Sequence, residues 1–141
     1  MANPLPWRAF LFDLDGTLIN SSPVHERAFL EVLTAEAPEI AARFQYRTVM
    51  GMETGAVFAH LGVGDPATVS RLSTMKQERY RALAKSGLVE AMPGARRLLD
   101  RLRGCGAVVG VVTSASARSA TLALEATGLH EAVDFLVSAA S

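Results

Sequence analysis

The stretch Phe10-Leu11-Phe12-Asp13-Leu14-Asp15-Gly16-Thr17-Leu18 constrains this chain more than any other. An apolar run delivers two carboxylates, two positions apart, to a glycine. Such a run reads as the end of a buried strand, and the alternation of a strand places Asp13 and Asp15 on the same side of the backbone. Gly16 permits the sharp turn that follows. Two acids held this way can share a metal ion or a phosphoryl group, although aspartates at a strand end also act simply as turn formers. A calcium loop is a third reading of D-x-D-G, and spacing removes it. With Asp13 as the first position, the sixth is Leu18 rather than glycine and the twelfth is Val24 rather than glutamate.

The rest of the chain alternates helix and strand signals. Ala9 to Asp13 is a continuous apolar run of the kind buried on both faces of a parallel sheet. Ser22 and Pro23 supply an N-cap and a first-turn proline, and Val24, Ala28 and Val32, widened by Phe29 and Leu33, give an amphipathic helix. Pro38 to Phe44 and Glu53 to Leu61 read as two short helices. Asp65-Pro66 opens a long one to about Ala84, with the stripe Val69, Leu72, Tyr80, Leu83. Lys76 falls inside that stripe. Its ammonium either snorkels out along a packed stem or aims at a bound anion.

Pro93-Gly94 ends this helical block, and Ala95, Leu98, Leu99 and Leu102 give the next helix one apolar face, closed by Gly104-Cys105-Gly106. Ala107 to Val112 is a second apolar strand that runs into Thr113-Ser114. Its glycines precede or lie within the strand, which excludes a dinucleotide fingerprint. A helix from about Ala117 to Thr127 leads to a third strand, Val133 to Val137. The order predicts an α/β fold with a parallel sheet, right-handed crossovers and a four-helix insertion.

Composition excludes several functions. In 141 residues, Lys plus Arg and Asp plus Glu number 14 each, so no net field draws nucleic acid or anionic lipid. The longest apolar runs are broken well short of a membrane span. A single cysteine, Cys105, cannot form an internal disulfide, and Met1 to Pro6 lacks the pattern of a signal peptide, which makes a cytoplasmic location the expectation.

In open parallel sheets, ligands bind beyond the carboxyl ends of the strands, where Asp13, Asp15, Thr113 and Ser114 all fall. Thr113-Ser114 taken alone reads first as an ordinary helix N-cap. The apolar run with D-L-D-G-T-L, however, resembles the first motif of the haloacid dehalogenase superfamily of phosphohydrolases and phosphomutases, and Thr113-Ser114 resembles its second. The resemblance implies a HAD-like Rossmannoid core, residues 1–19 and 93–141, interrupted by a helical cap, residues 20–92. It implies Asp13 as the nucleophile that forms an aspartyl-phosphate and Asp15 as general acid and base. Thr113 or Ser114 would bind the phosphoryl group, and Mg2+ would be held by the Asp13 carboxylate and the Asp15 backbone carbonyl.

The cap resembles that of the subgroup containing β-phosphoglucomutase and phosphoglycolate phosphatase. His25 matches a cap histidine of its mutase-like members, with an exposed polar helix position as the plain alternative. Lys76 lies where several members carry a substrate-facing lysine, and Arg47 is a further cap candidate. Asn20 replaces a frequent aspartate, and Thr54 stands where the mutase has a phosphate-gripping arginine, which favours phosphatase over mutase. The implied ligand is a small phosphorylated metabolite. The superfamily's lysine motif and its acidic pair normally follow position 141 and are not in this sequence. The expectations are therefore an incomplete magnesium site, weak or no activity, and a first strand whose apolar edge invites self-association.

Overall fold

In the computed structural model, residues 6–139 are described. The Met1 to Pro6 stretch, apart from Pro6, and the last two residues of the expected core lie outside them. Five strands and six α-helices follow one another as β1 Ala9–Phe12, β2 Ile19–Asn20, α1 Ser22–Glu36, α2 Pro38–Ala41, α3 Thr54–His60, α4 Pro66–Lys85, β3 Glu90–Ala91, α5 Ala95–Gly104, β4 Val108–Ser116, α6 Ala117–Ala126 and β5 Phe135–Ala139. The chain divides into two units: Met1–Ser21 with Ala84–Ser141, and Ser22–Leu83.

In the first unit, β1, β4 and β5 form a parallel sheet in the order β1-β4-β5. Ala9 stands beside Val108 and Phe12 beside Val111, while Gly110 stands beside Phe135 and Val112 beside Val137. The α/β class with a helical insertion agrees with the expectation. The expected burial of the strands on both faces does not. Helices α5 and α6 pack on β4, and α6 also on β5. Val109 and Val111 are fully buried, along with Leu99, Leu102, Ala120, Ala123 and Leu124 of the helices. Residues of the opposite parity are open: Leu11 is 63% exposed, Val108 and Val112 are 42%, and Val137 is 51%. Each crossover carries its helix to the same side because the strand order advances in one direction, so a single face of the sheet is covered.

Local chemistry explains the shifted boundaries. The first strand ends at Phe12, one residue before Asp13. The third begins at Phe135 rather than Val133, because the side chain of Asp134 substitutes for ladder pairing: Asp134 Oδ2 accepts from the Val109 N–H at 2.8 Å, and the Asp134 N–H donates to the Val109 carbonyl at 2.8 Å. The second strand runs on to Ser116, with an irregularity in its pairing after Val112. Leu98 faces solvent, since the buried stripe of α5 is Ala95, Leu99 and Leu102. The antiparallel pair β2–β3, with Ile19 beside Ala91 and Asn20 beside Glu90, has no counterpart in the sequence reading.

The second unit has its own core. Phe29, Val32 and Leu33 of α1 meet Ile40, Val49, Val57, Phe58 and Leu72, with Phe29 and Phe58 edge to face at 5.4 Å. Helix α2 stops at Ala41, short of the expected Phe44, because the Arg43 and Phe44 N–H groups bond to carbonyls three residues back and tighten the chain out of the helix. Helix α3 begins at Thr54 because Glu53 is its cap, its carboxylate accepting from the Gly55 and Ala56 N–H groups. Glu31 on α1 accepts from Arg27 at 2.9 Å and from Arg79 on α4. The Arg79 hydrogen bond, then that of Arg27, holds the Glu31 carboxyl below the usual carboxylate range.

Candidate functional site

The end of β1 turns through Gly16, at φ +76°, a conformation that side chains rarely adopt. The Leu14 carbonyl accepts from the Thr17, Leu18 and Ile19 N–H groups, and the Gly16 N–H donates to the Ile19 carbonyl, so the loop is closed on itself. Leu14 is buried as its anchor. Asp13 and Asp15, on either side of it, point away from the core, Asp13 exposed and Asp15 half-buried. Asp13 Oδ1 accepts from the Leu14 N–H at 2.8 Å. Asp15 Oδ1 accepts from the hydroxyl of Ser21, a fully buried residue, at 2.5 Å.

Parallel pairing puts the ends of β1 and β4 at one edge of the sheet. Because Phe12 stands beside Val111, Asp13 and Asp15 emerge where Thr113 and Ser114 do. Thr113 is buried and its Oγ1 accepts from the Ala115 N–H at 3.1 Å, while Ser114 is exposed. Neither caps the following helix. Ser116 does so, accepting from the Ser119 N–H. The N-cap alternative for Thr113-Ser114 is thereby removed.

The donor set suits magnesium, a hard ion that takes one or two carboxylates and fills its octahedron with water and substrate phosphate oxygens. Asp13 and Asp15 are the carboxylates at this edge. No group of three or more metal-ligating side chains gathers among the described residues.

His25 and Lys76 form a separate cluster within the second unit. Lys76 Nζ lies 2.9 Å from His25 Nδ1, 4.6 Å from the centre of the Phe29 ring and 5.3 Å from that of Tyr80. The His25 ring stacks on Tyr80 at 4.1 Å, nearly parallel. Lys76 is only 2% exposed, so its ammonium does not snorkel, and His25 is not an exposed helix position. The cluster is two helical i,i+4 pairs facing one another, His25 with Phe29 on α1 and Lys76 with Tyr80 on α4. Arg47 is exposed, and its Nη2 donates to Gln45 Oε1 at 3.4 Å. Thr54 is tied to Gln77, whose Nε2 donates to its Oγ1 at 2.9 Å. Sequence reasoning assigned no role to Ser21, Phe29 or Tyr80 here. Four-residue spacing from His25 and Lys76 signals the two aromatic rings, whereas nothing in the sequence singles out Ser21.

The family model described as haloacid dehalogenase-like hydrolase matches residues 10–141. The chain belongs to this family. It is 32% identical over 127 residues to protein CbbY of Rhodobacter capsulatus, covering 85% of this chain and 56% of the relative. It is 31% identical over 134 residues to phosphoglycolate phosphatase of Xanthomonas campestris, covering 92% and 59%. Among solved structures, CbbY from Rhodobacter sphaeroides in complex with xylulose-(1,5)bisphosphate is similar with a TM-score of 0.76 at 25% identity, covering 94% of this chain and 64% of that one. The haloacid dehalogenase-like chain thus spans little more than half the length of the curated relatives it matches. Among its described residues, no helix is long and apolar enough to cross a membrane.

Proposed function

We propose that this chain carries the nucleophile side of a magnesium-dependent phosphoryl-transfer site of phosphatase type, acting on a small phosphorylated metabolite. The feature that supports it most is that Asp13 and Asp15 follow β1 at the same end of the parallel β1–β4 pair as Thr113 and Ser114 of β4. Relatives in this range include a phosphoglycolate phosphatase and a protein whose structure holds a sugar bisphosphate, which supports the same substrate class.

In this reading an Asp13 carboxylate oxygen bonds to phosphorus as the bond to the ester oxygen breaks, and Asp15 gives that oxygen its proton. Asp15 then takes a proton from the water that attacks the phosphorus and releases Asp13. The Thr113 and Ser114 hydroxyls donate to the phosphoryl oxygens. Ser21, bonded to Asp15 Oδ1, keeps the acid in position. Magnesium, held by Asp13 and the Asp15 carbonyl, would screen the nucleophile from the phosphate dianion. The subgroup resemblance supports a substrate-recognition role for the His25–Lys76 pair of the second unit. Thr54, standing where the mutase has a phosphate-gripping arginine, supports phosphatase over mutase.

The 141-residue chain itself carries the residues that this reading names. The test incubates it with acetyl phosphate, sugar phosphates and magnesium. The peptide containing Asp13 is expected to gain one phosphoryl group, lost in Asp13→Asn. A robust hydrolysis rate that survives Asp13→Asn, or an Asp13 peptide that gains no phosphoryl group, overturns the nucleophile assignment.

A further inference from the structure

A fully buried lysine is rare unless something offsets its charge. Lys76, inside the second unit, is such a residue, and Phe29 and Tyr80 beside it are buried as well. Its place in the apolar stripe of α4 carries the stem into this core, and the ammonium at the stem's end has to be compensated there. Two kinds of compensation are present. The Phe29 and Tyr80 rings lie 4.6 and 5.3 Å from Nζ, within the range at which an aromatic face attracts a cation. His25 Nδ1 stands at hydrogen-bond distance, 2.9 Å.

We infer that Lys76 is a positioning residue whose ammonium holds His25 as the neutral imidazole with its proton on Nε2, so that His25 offers a hydrogen-bond donor at that nitrogen. An ammonium has three N–H groups and no acceptor, so the nitrogen that faces it must carry a lone pair. Protonating Nδ1 would set N–H against N–H and put a second positive charge 2.9 Å from the first. The converse arrangement, a neutral amine accepting from Nδ1–H, forgoes the attraction of both ring faces. Turning the imidazole over would bring its Cδ2–H to the ammonium in place of a nitrogen. The stack on Tyr80, at 4.1 Å and 2° from parallel, holds the plane of the ring, while the bond to Lys76 selects which nitrogen keeps the proton.

A histidine fixed in this way is no base at Nε2. In the reading proposed above, the groups it recognises are oxygen acceptors, such as a phosphoryl or hydroxyl oxygen of the substrate, and proton transfer stays with Asp15. The tautomer follows from the cluster alone, and only the class of acceptor rests on that reading. Lys76 accordingly acts through His25: the charge buried on α4 sets the chemistry of a ring on α1.

Nitrogen-15 NMR of the full chain tests this without substrate, so a wrong tautomer defeats it while the phosphoryl-transfer reading stands or falls by its own assay. The chain has three histidines, and His25 is the imidazole lost in His25→Gln or, should that variant not fold, the one in contact with the Tyr80 ring. At pH 7 its Nδ1 is expected at the frequency of an unprotonated nitrogen and its Nε2 at that of a protonated one. Lys76 Nζ is expected to give the signal of a charged ammonium whose protons couple to Nδ1. Lys76→Met keeps the apolar stem and removes the ammonium, and the separation between the two His25 nitrogens is expected to narrow as other protonation states mix in. A cluster that is mere packing leaves that separation unmoved. Where Lys76→Met does not fold, the wild-type coupling from the ammonium to Nδ1 decides. A proton on Nδ1, a neutral Lys76 amine, no coupling between the two groups, or an unmoved separation in folded Lys76→Met each overturns the proposal.

Discussion

At the scale of single residues, Ser21 matters more than its chemistry suggests. The Ser21 hydroxyl is buried and committed to Asp15, so Ser21→Ala removes a hydrogen bond to a carboxylate. Urea unfolding is expected to show a loss of about 1 kcal/mol. The place of Asp13 and Asp15 just past β1, and of Thr113 and Ser114 in the last part of β4, was legible because both pairs follow apolar runs in the sequence. Ser21 was not, since its partner is fixed by the closed loop around Gly16 rather than by any periodicity. Lys76 was half legible: its place in an apolar stripe announced burial, while its contacts with His25, Phe29 and Tyr80 needed the packing of α1 on α4.

At the scale of elements, two polar tethers do work that hydrophobic patterning did not announce. Asp134 pairs with both backbone groups of Val109 and lies 3.3 Å from Arg103, joining the start of β5 to β4 and to the end of α5. Asp134→Ala leaves the Val109 N–H without its partner, and chemical denaturation is expected to register a loss of about 1 to 2 kcal/mol. Glu31 ties α1 to α4 through Arg79. Because its carboxyl is held below the ordinary range, its contribution is full above the unfolded-state pKa and disappears as pH falls through the lower folded-state value. The difference in urea midpoint between wild type and Glu31→Gln is therefore expected to be present at pH 7 and to vanish in acid. High salt should shrink it too, since the group is exposed. Helix positions were legible from capping and stripes, as at Asp65-Pro66, but the two-residue strands β2 and β3 are too short to carry a pattern. The strands' burial was misjudged because an unbroken apolar run states what a strand can bury, not whether a neighbour arrives to cover it.

At the scale of the whole molecule, two units with separate cores imply two cooperative blocks. Hydrogen exchange at rising urea is expected to open the amides of β1 and β4 before those around Val57 and Phe58, because the sheet is packed on one face only. A single common opening would contradict this. The β2–β3 ladder has a consequence for how such a chain can change over time. Ile19 and Ala91 hold the departing and returning strands side by side, and the Met92 N–H donates to the Leu18 carbonyl just beyond them at 2.8 Å. Everything threaded between them is, for the sheet, a closed loop with fixed ends. Doubling its length adds only about 0.6 kcal/mol of closure cost. That clasp makes the intervening helices exchangeable cargo, free to be lengthened or replaced while the aspartates stay where they are.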